Sequence, residues 1–314
     1  MVAADGVARK DGSMSTLFGS GSYTYRVDAH WGRGPQLPAL GLVSGVACDS
    51  RDRVYVLQRE PQAAMLVFSP EGQLLRSWGE DAFSLAHGVW IGHDDEVYCT
   101  DRNHTVTQWS LDGTLLATWG TADQPGAPGE PFNEPARAAR SPQGDVFIAD
   151  GYGQYRAHRF SADGTLQQSW GLEGTGPGEF GWPVHSVWVD PRGRLLVTDR
   201  GNNRVQHFTL DGEYLGEWGD LGAPNDVCID ADETVYIAEG GPGTTSRGPI
   251  RTERGPGVTI MNLDGDILAQ WGKRGDAPGQ FAASPHSLWV DSRGDIYVGE
   301  VTTHNRLQKF IRQR

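Results

Sequence analysis

Short runs of alternating apolar and polar residues recur along the chain and are separated by turn-forming residues. The clearest stretch, residues 185–218, reads HSVWVD, PRGR, LLVTDRGNNR, VQHFTL, DG and EYLGEW. Period-two alternation is typical of strands with one buried face, and Asp-Gly favours a tight hairpin turn because glycine accepts a positive φ. The stretch therefore predicts four short antiparallel strands, which we label a to d.

This four-strand pattern recurs, and a Trp-Gly pair closes each copy. The pairs begin at Trp31, Trp78, Trp119, Trp170, Trp218 and Trp271. Four strands in a repeat of roughly 40 to 50 residues are typical of a β-propeller blade. Six second strands, from VYVLQR at residue 54 to IYVGEV at residue 296, predict an all-β, six-bladed propeller.

The two ends of the chain predict how the ring closes. The last repeat has three strands, and an unpaired strand-like segment, YTYRVDAHWG at residues 23–32, precedes the first repeat. If this segment supplies the outer strand of blade six, it removes the exposed edge of an open array. We expect a flexible tail over residues 1–22 and one propeller domain over residues 23–314.

Composition and charge narrow the class of protein. The 43 glycines and 18 prolines argue against a helical bundle, and the net charge of −13 disfavours nucleic acid or an anionic membrane as the main partner. We therefore expect a small-molecule partner, and the sequence leaves the oligomeric state open. Cys48, Cys99 and Cys228 each lie in a strand-like run, which predicts buried free thiols and a cytoplasmic location.

Three histidines occupy the same repeat position in alternate blades. The residues that open strand a are, in order, Ser44, His87, Ala136, His185, Asn225 and His286. Alternate blades of a six-fold ring lie about 120° apart, so three imidazoles at one depth point to one spot on the axis. We predict a three-histidine metal site with an open coordination position, which is typical of catalytic zinc. Copper, nickel or iron also accept imidazole, and the alternative is a repeated polar residue facing a wet channel.

The ends of the b strands point to the same mouth of the channel and carry Arg59, Arg102, Tyr152 and Arg200. A guanidinium can bind a substrate carboxylate through two hydrogen bonds. For Arg102 and Arg200, which each follow an aspartate, the alternative is a structural Asp–Arg bridge between blades. Tyr152 lies between two glycines and could act as a base, since a dication favours the phenolate; the alternative is a packing residue in a loop.

Long loops are expected on this same face. They are the d–a connections at residues 121–134, 172–183 and 273–285, and the b–c insertion of blade five at residues 240–257. Long loops on one face of a rigid scaffold are where binding sites tend to lie. The insertion is either a lid that selects the substrate or a disordered loop.

The repeat text VTDRGNNRVQHF resembles NHL repeats, and the whole constellation resembles the peptidyl-α-hydroxyglycine α-amidating lyases. The resemblance is strongest over residues 142–160 and 184–204. It implies zinc held by His87, His185 and His286, a catalytic Tyr152, and active-site arginines at Arg59 and Arg200, with Arg102 as a further member. The family also has a structural calcium with an aspartate after the third histidine. Ser287 stands there, which puts calcium in doubt.

The resemblance implies a lyase that cleaves an N-acyl-α-hydroxyglycine-like carbinolamide, a substrate with a carboxylate, to an amide and glyoxylate. Two alternatives remain. The same three-histidine site could activate water and hydrolyse a lactone or ester. The chain could also be a binding module of NHL repeats without enzymatic activity, since a propeller fold alone does not select a function.

Overall fold

The structure is a computed structural model, and it describes residues 7–8, 14–34, 37, 39–302 and 306–314. The described residues form β-strands and one short 3₁₀ turn at Arg200–Asn202. Within these ranges, no helix has the length and apolar character needed to cross a bilayer. The N-terminal strands are β1 (Val7–Ala8), β2 (Met14–Ser15), β3 (Phe18–Ser20) and β4 (Tyr23–Asp28).

The first three blades are four-stranded antiparallel sheets in which strands a to d follow one another in chain order. Blade one has β5 (Val43–Cys48), β6 (Val54–Gln58), β7 (Ala64–Phe68) and β8 (Leu74–Trp78). Blade two has β9 (Ala86–Ile91), β10 (Val97–Asp101), β11 (Thr105–Trp109) and β12 (Leu115–Gly120). Blade three has β13 (Arg137–Arg140), β14 (Val146–Asp150), β15 (Arg156–Phe160) and β16 (Leu166–Trp170).

The last three blades follow the same order, with an inserted hairpin in blade five. Blade four has β17 (Val184–Val189), β18 (Leu195–Asp199), β19 (Arg204–Phe208) and β20 (Tyr214–Trp218). Blade five has β21 (Pro224–Ile229), β22 (Val235–Glu239), the hairpin β23 (Gly243–Thr245) and β24 (Gly248–Ile250), then β25 (Gly257–Met261) and β26 (Ile267–Trp271). Blade six has β27 (Ser284–Val290), β28 (Ile296–Val301) and β29 (Leu307–Gln313). The predicted six-bladed, all-β propeller is confirmed.

The ring closes through the N-terminal segment, as the sequence predicts. Strand β4 pairs antiparallel with β29, with Val27 opposite Phe310. The expected tail differs in part, because β3 adds a fifth strand outside β4 and Phe18 packs edge-to-face on Phe310 at 5.9 Å between ring centroids. An apolar ring that packs on the blade holds this part of the chain in the sheet. Residues 1–6 and 9–13 of the expected tail lie outside the described residues.

The Trp-Gly repeat has a packing cause. Each indole packs on the following blade, where Trp119, for example, stacks on Phe160 at 5.6 Å between ring centroids. A Cβ on Gly164, in the Asp-Gly turn of that blade, would lie 2.4 Å from Trp119 Nε1, and its φ is +83°. Glycine is therefore needed both for the turn and for the close approach of the indole. The two recurring dipeptides belong to one contact between neighbouring blades.

A second alternating layer of the channel lies three residues beyond the histidines. Trp188 packs against the Trp289 ring at 5.3 Å and against the Trp90 ring at 6.4 Å between centroids. The intervening blades carry small residues at this position, namely Ala47, Ala139 and Cys228. Three large and three small side chains thus share one depth of the channel. We call these residues the tryptophan layer.

The predicted state of the cysteines is confirmed. Cys48, Cys99 and Cys228 are free thiols, and each is buried. Burial in apolar surroundings raises the pKa of each thiol. They behave as small core residues rather than reactive groups.

Candidate active site

Each candidate histidine occupies a β-bulge near the start of strand a. In blade four the ladder passes from the Val184 pair directly to the Ser186 pair, so His185 has no partner on strand b. The same register shift occurs at His87 and His286. A bulge residue lies outside the ladder, so its side chain can be aimed differently from those of its neighbours. The bulges turn the three imidazoles into the channel.

The three histidines use the same hydrogen bond to fix their rings. Each Nδ1 lies against a backbone carbonyl of the residue that opens strand a in the next blade. The pairs are His87 with Ala136 at 2.7 Å, His185 with Asn225 at 2.6 Å and His286 with Ser44 at 2.8 Å. A carbonyl only accepts, so each Nδ1 carries the hydrogen and donates it. Each Nε2 is left with a lone pair.

These Nε2 atoms converge. His185 Nε2 lies 3.1 Å from His286 Nε2, and the ligand atoms of all three histidines lie within 4.8 Å of one another. His87 Nε2 is buried and has no hydrogen-bond partner among the described residues. Converging lone pairs with no hydrogen between them repel one another, whereas a cation among them would bind all three. The group can therefore hold a metal ion, and three imidazoles are a donor set that suits zinc and other divalent transition metals.

The electrostatic surroundings keep the histidines in the ligand form. Burial lowers the pKa of His87, His185 and His286 well below the ordinary 6.5, and the positive charges of Arg59 and Arg200 act in the same direction. Neutral imidazole is the form that binds a metal. The site is therefore ready for a metal at neutral pH without first losing protons.

The structure brings Tyr152 against this layer. Its Oη lies 3.0 Å from His185 Nε2, and its ring packs on His87 at 4.8 Å between centroids. Trp182 packs edge-on against the other side of the phenol at 5.4 Å. Tyr152 is thus held beside the point where the Nε2 atoms meet.

The glycines on either side of Tyr152 are required by close contacts rather than by turn geometry. A Cβ on Gly151 would lie 2.0 Å from the Val184 carbonyl oxygen, and one on Gly153 would lie 2.1 Å from Asn133 Oδ1. Only glycine lets this loop lie so close to blade four on one side and to the preceding loop on the other. The glycines around Tyr152 are therefore explained by how closely its loop packs against the neighbouring backbone and side chains.

Arg102 differs from the other candidate arginines because its charge is already paired. Its guanidinium lies 4.1 Å from the centroid of the Tyr152 ring, and its Nε donates to Glu134 Oε2 at 2.8 Å. A guanidinium over an aromatic face is an attractive cation–π arrangement. Arg102 therefore packs over the phenol with its charge paired to Glu134.

Among the described residues, the two side chains of each Asp–Arg pair form no ion pair with each other. Asp101 accepts hydrogen bonds from the backbone amides of Ser84 and Leu85 at 2.7 and 2.9 Å. Asp199 likewise accepts from the Gly181 amide at 2.7 Å and pairs with Arg204 at 2.8 Å. An acidic side chain at the end of strand b satisfies amide groups in the loop before strand a. The arginines that follow are left for other partners.

Arg59 and Arg200 keep unpaired donors beside the histidines. Arg59 Nε donates to the Ala86 carbonyl at 2.7 Å, while its Nη2 and the Nε of Arg200 are buried with no partner among the described residues. Neither forms an ion pair with a carboxylate in the described part of the chain. Burial lowers the pKa of both guanidinium groups, although they stay charged at neutral pH. Two half-buried positive charges with donors that have no partner among the described residues make a site for an anion.

One buried ion pair of the channel escaped prediction. Arg137 Nη1 and Asp226 Oδ2 lie 2.9 Å apart, each almost fully buried, one residue after the opening positions of blades three and five. Opposite charges at one repeat position are the signal that could have revealed this pair. Ser287 has the same repeat position in blade six, and its Oγ has no partner among the described residues.

The doubt about calcium is consistent with this arrangement. Among the described residues, the three histidines are the one group of three or more metal-ligand side chains whose ligand atoms come together. The Asp226 carboxylate, at the repeat position of Ser287, is already paired with Arg137. These residues do not fit a calcium site, and we derive no role for that ion.

The insertion of blade five is a hairpin rather than a disordered loop. Strand β23 pairs antiparallel with β24, with Thr245 opposite Gly248 at the turn. The tip reaches the loop of blade three, where Arg247 donates to the Tyr152 carbonyl at 3.1 Å. The insertion therefore lies on the face that carries the candidate site.

Comparisons with known proteins agree with the fold and the repeat. The NHL repeat family model matches residues 184–208, which span strands a to c of blade four. The structure of a streptogramin B lyase superposes with a TM-score of 0.62 at 13% identity, covering 93% of this chain and 99% of that one. At this identity the match supports the propeller fold alone.

Two curated relatives are more similar in sequence. Human NHL repeat-containing protein 3 is 36% identical over 316 residues, which are 91% of this chain and 84% of the human protein. Peptidyl-alpha-hydroxyglycine alpha-amidating lyase 1 of Drosophila melanogaster is 28% identical over 285 residues, or 84% of this chain. The match spans about half of the fly protein, 52% of its length.

Proposed function

Because the chain belongs to the family of NHL repeat-containing protein 3 and is related to the amidating lyases, we propose that it is a metal-dependent carbon–nitrogen lyase. The proposed substrate is an N-acyl-α-hydroxyglycine-like carbinolamide that carries a carboxylate. The proposed products are an amide and glyoxylate. Zinc is the metal that we expect first, since three imidazoles with an open position are typical of its catalytic sites.

One observation carries the proposal. Arg59 and Arg200 each have one buried N–H donor with no partner among the described residues, and both lie beside three imidazoles whose Nε2 atoms carry no hydrogen. A molecule that satisfies both parts of the site has a carboxylate next to an oxygen that can bind a metal. An α-hydroxy acid has this arrangement, and in a carbinolamide the same carbon also carries the amide nitrogen.

The side chains have separate roles in the proposed reaction. Arg59 and Arg200 bind the carboxylate and orient the C–N bond. When bound, the metal supplies Lewis-acid stabilisation of the negative charge that develops on the substrate oxygen. Tyr152 Oη, as phenolate, accepts the hydroxyl proton while the C–N bond breaks and the C–O bond becomes a carbonyl. That proton then passes to the leaving amide nitrogen, so atoms and charge balance.

The test combines metal analysis with product detection. Protein purified without chelator is expected to hold about one transition-metal ion per chain and to release glyoxylate and amide in equal amounts from N-acyl-α-hydroxyglycines. Tyr152→Phe is expected to keep the metal and to lower kcat by about a hundredfold or more, the usual contribution of a general base. Tyr214→Phe, on the outer strand of blade four, is the control and is expected to behave like the wild type.

Two outcomes would replace the proposal. Hydrolysis of a lactone or ester, without glyoxylate from any acylated α-hydroxyglycine, would favour a hydrolase that uses the same histidines. Protein that contains no metal and takes none up from solution would favour a binding module. The name of the human relative describes repeats and states no activity, so the metal content is worth measuring first.

We also propose a small-molecule substrate as the main partner and a reducing, cytoplasmic location. The net charge of −13 supports the first, because nucleic acids and anionic membranes attract basic surfaces. The three buried free thiols support the second.

A further inference from the structure

The loop that carries Tyr152 is anchored by Asp150, a buried residue at the end of strand b of blade three. The Asp150 carboxylate accepts hydrogen bonds from the Asn133 amide at 2.8 Å, from Gln154 Nε2 at 2.7 Å and from His158 Nε2 at 3.1 Å. Asp150 and His158 are fully buried. These bonds fix the start of the loop, but they do not reach the backbone of Tyr152 itself.

Two side chains from other parts of the ring hold that backbone. The Tyr152 carbonyl accepts a hydrogen bond from Trp182 Nε1 at 2.8 Å and a second from Arg247 Nη2 at 3.1 Å. Trp182 belongs to the loop before blade four, and Arg247 belongs to the hairpin inserted in blade five. Blades four and five therefore both position a residue of blade three.

Arg247 is exposed, and several contacts orient its guanidinium. Its guanidinium lies 5.4 Å from the Trp182 ring centroid and 5.8 Å from that of Tyr155, and its Nη1 donates to Tyr155 Oη at 3.2 Å. The Tyr155 hydroxyl in turn donates to Glu173 at 2.9 Å. Cation–π contact and hydrogen bonds together fix the direction in which the guanidinium points.

The base of the insertion is tied down, so the tip is held at a set distance. Arg254 Nη1 donates to the Asp220 carbonyl at 2.6 Å, and Asn203 Nδ2 donates to the Arg251 carbonyl at 2.7 Å. These bonds attach the insertion to the rim of blades four and five. The side chain of Arg251 itself is exposed and forms no hydrogen bond or ion pair within the described residues.

We propose that Arg247 is a positioning residue, which sets the place of Tyr152 through its backbone carbonyl. The kinetic part of this inference rests on the proposed lyase function. The Tyr152 carbonyl has two side-chain donors, Trp182 Nε1 and Arg247 Nη2, so removing the arginine donor loosens the backbone that carries the phenol. A displacement of about 1 Å from the reacting atoms is enough to reduce a rate by up to about a hundredfold.

The experiment compares Arg247→Ala, Arg247→Lys and Arg251→Ala, each as full-length protein with its metal. We expect Arg247→Ala to lower kcat about ten- to a hundredfold with KM within about twofold of wild type, since the carboxylate contacts are untouched. Arg247→Lys keeps one donor and is expected to recover part of kcat. Arg251→Ala removes the same charge from the same insertion and is expected to match the wild type.

Hydrogen–deuterium exchange supplies the readout that does not depend on turnover. Faster exchange over residues 151–156 in Arg247→Ala, with unchanged exchange in the strands of blade three, is expected. The inference is overturned if Arg247→Ala matches Arg251→Ala in exchange, or if it changes KM alone. Wild-type protein that releases no glyoxylate would overturn the proposed function, and the exchange comparison would then decide the role of Arg247 by itself.

Discussion

The histidine layer and the tryptophan layer of the channel use the same alternate blades, three residues apart on each strand a. In the histidine layer, each ring is fixed by a hydrogen bond from Nδ1 to a carbonyl of the next blade, and the Nε2 atoms meet without donors between them. In the tryptophan layer, the faces and edges of Trp90, Trp188 and Trp289 pack against one another. The first layer presents lone pairs to a common point, whereas the second presents carbon surfaces.

The difference teaches that periodic placement alone does not mark a functional site. Both layers alternate in the same way, because the residue type at any repeat position can alternate from blade to blade, between large and small or between charged and neutral. The unsatisfied groups differ in kind, since buried polar atoms without partners are rare unless a ligand or a metal uses them. Among the described residues, the tryptophan layer leaves one indole N–H, that of Trp90, without a partner, whereas the histidine layer leaves the Nε2 of His87 without one at the point where three imidazoles meet. Arg59 Nη2 and Arg200 Nε, which also have no partner among the described residues, lie beside the histidine layer.

Removing one ligand is expected to give the largest effect. His185→Ala should lower metal affinity by more than about a hundredfold and should abolish glyoxylate release. Losing a residue that only hydrogen-bonds a metal ligand lowers affinity by about ten- to a hundredfold, and losing the ligand itself should cost more. The blade should stay folded, because His185 lies in a bulge outside the ladder. Metal content, activity and thermal unfolding measure these effects, with His93→Ala at an exposed turn as the control. Normal metal content in His185→Ala would contradict the assignment of the layer.

The opposite pattern is expected in the tryptophan layer. Trp90 is 7% exposed, so Trp90→Ala should reduce the free energy of unfolding by about 3 kcal/mol or more, as large cavities in cores do. Metal stoichiometry should not change. Denaturant unfolding of chelator-treated protein measures the first effect, and Trp90→Phe should show a smaller loss. If Trp90→Ala lost its metal while keeping its stability, the two layers would not be separate in function.

The smallest effect is expected in blade one, where Ser44 stands at the repeat position that the histidines occupy in blades two, four and six. His286 Nδ1 bonds the main-chain carbonyl of Ser44, so Ser44→Ala keeps this acceptor and should leave metal affinity unchanged. The lost bond from Ser44 Oγ to the Leu57 carbonyl, 3.2 Å long, should cost about 1 kcal/mol of stability. Metal titration and denaturant unfolding check both values. A tenfold fall in affinity would show that the Ser44 side chain, and not its carbonyl, supports His286.

Much of the fold follows from the sequence because its signals are local and repeated. The alternation of apolar residues, the Asp-Gly turns and the Trp-Gly pairs belong to contacts within a blade or between neighbouring blades, such as that of Trp119 with Gly164. The closing strand β4 was predictable because blade six lacked an outer strand. Strand β3 was missed, since its three residues carry no alternation long enough to detect and its Phe18 docks on a distant part of the chain.

The sequence by itself determined the number of blades, the face that carries the long loops and the three histidines at one repeat position. The tertiary structure decided what these residues do to one another. Arg102 is paired with Glu134, whereas Arg59 and Arg200 form no ion pair with a carboxylate among the described residues. Arg137 meets Asp226 across the channel, and Arg247 reaches Tyr152 from two blades away. Repeat position fixes a residue's depth and angle in the ring. Whether its charge or hydrogen bonds are satisfied depends on side chains from other blades, and these cannot be identified from the spacing of residues along one strand.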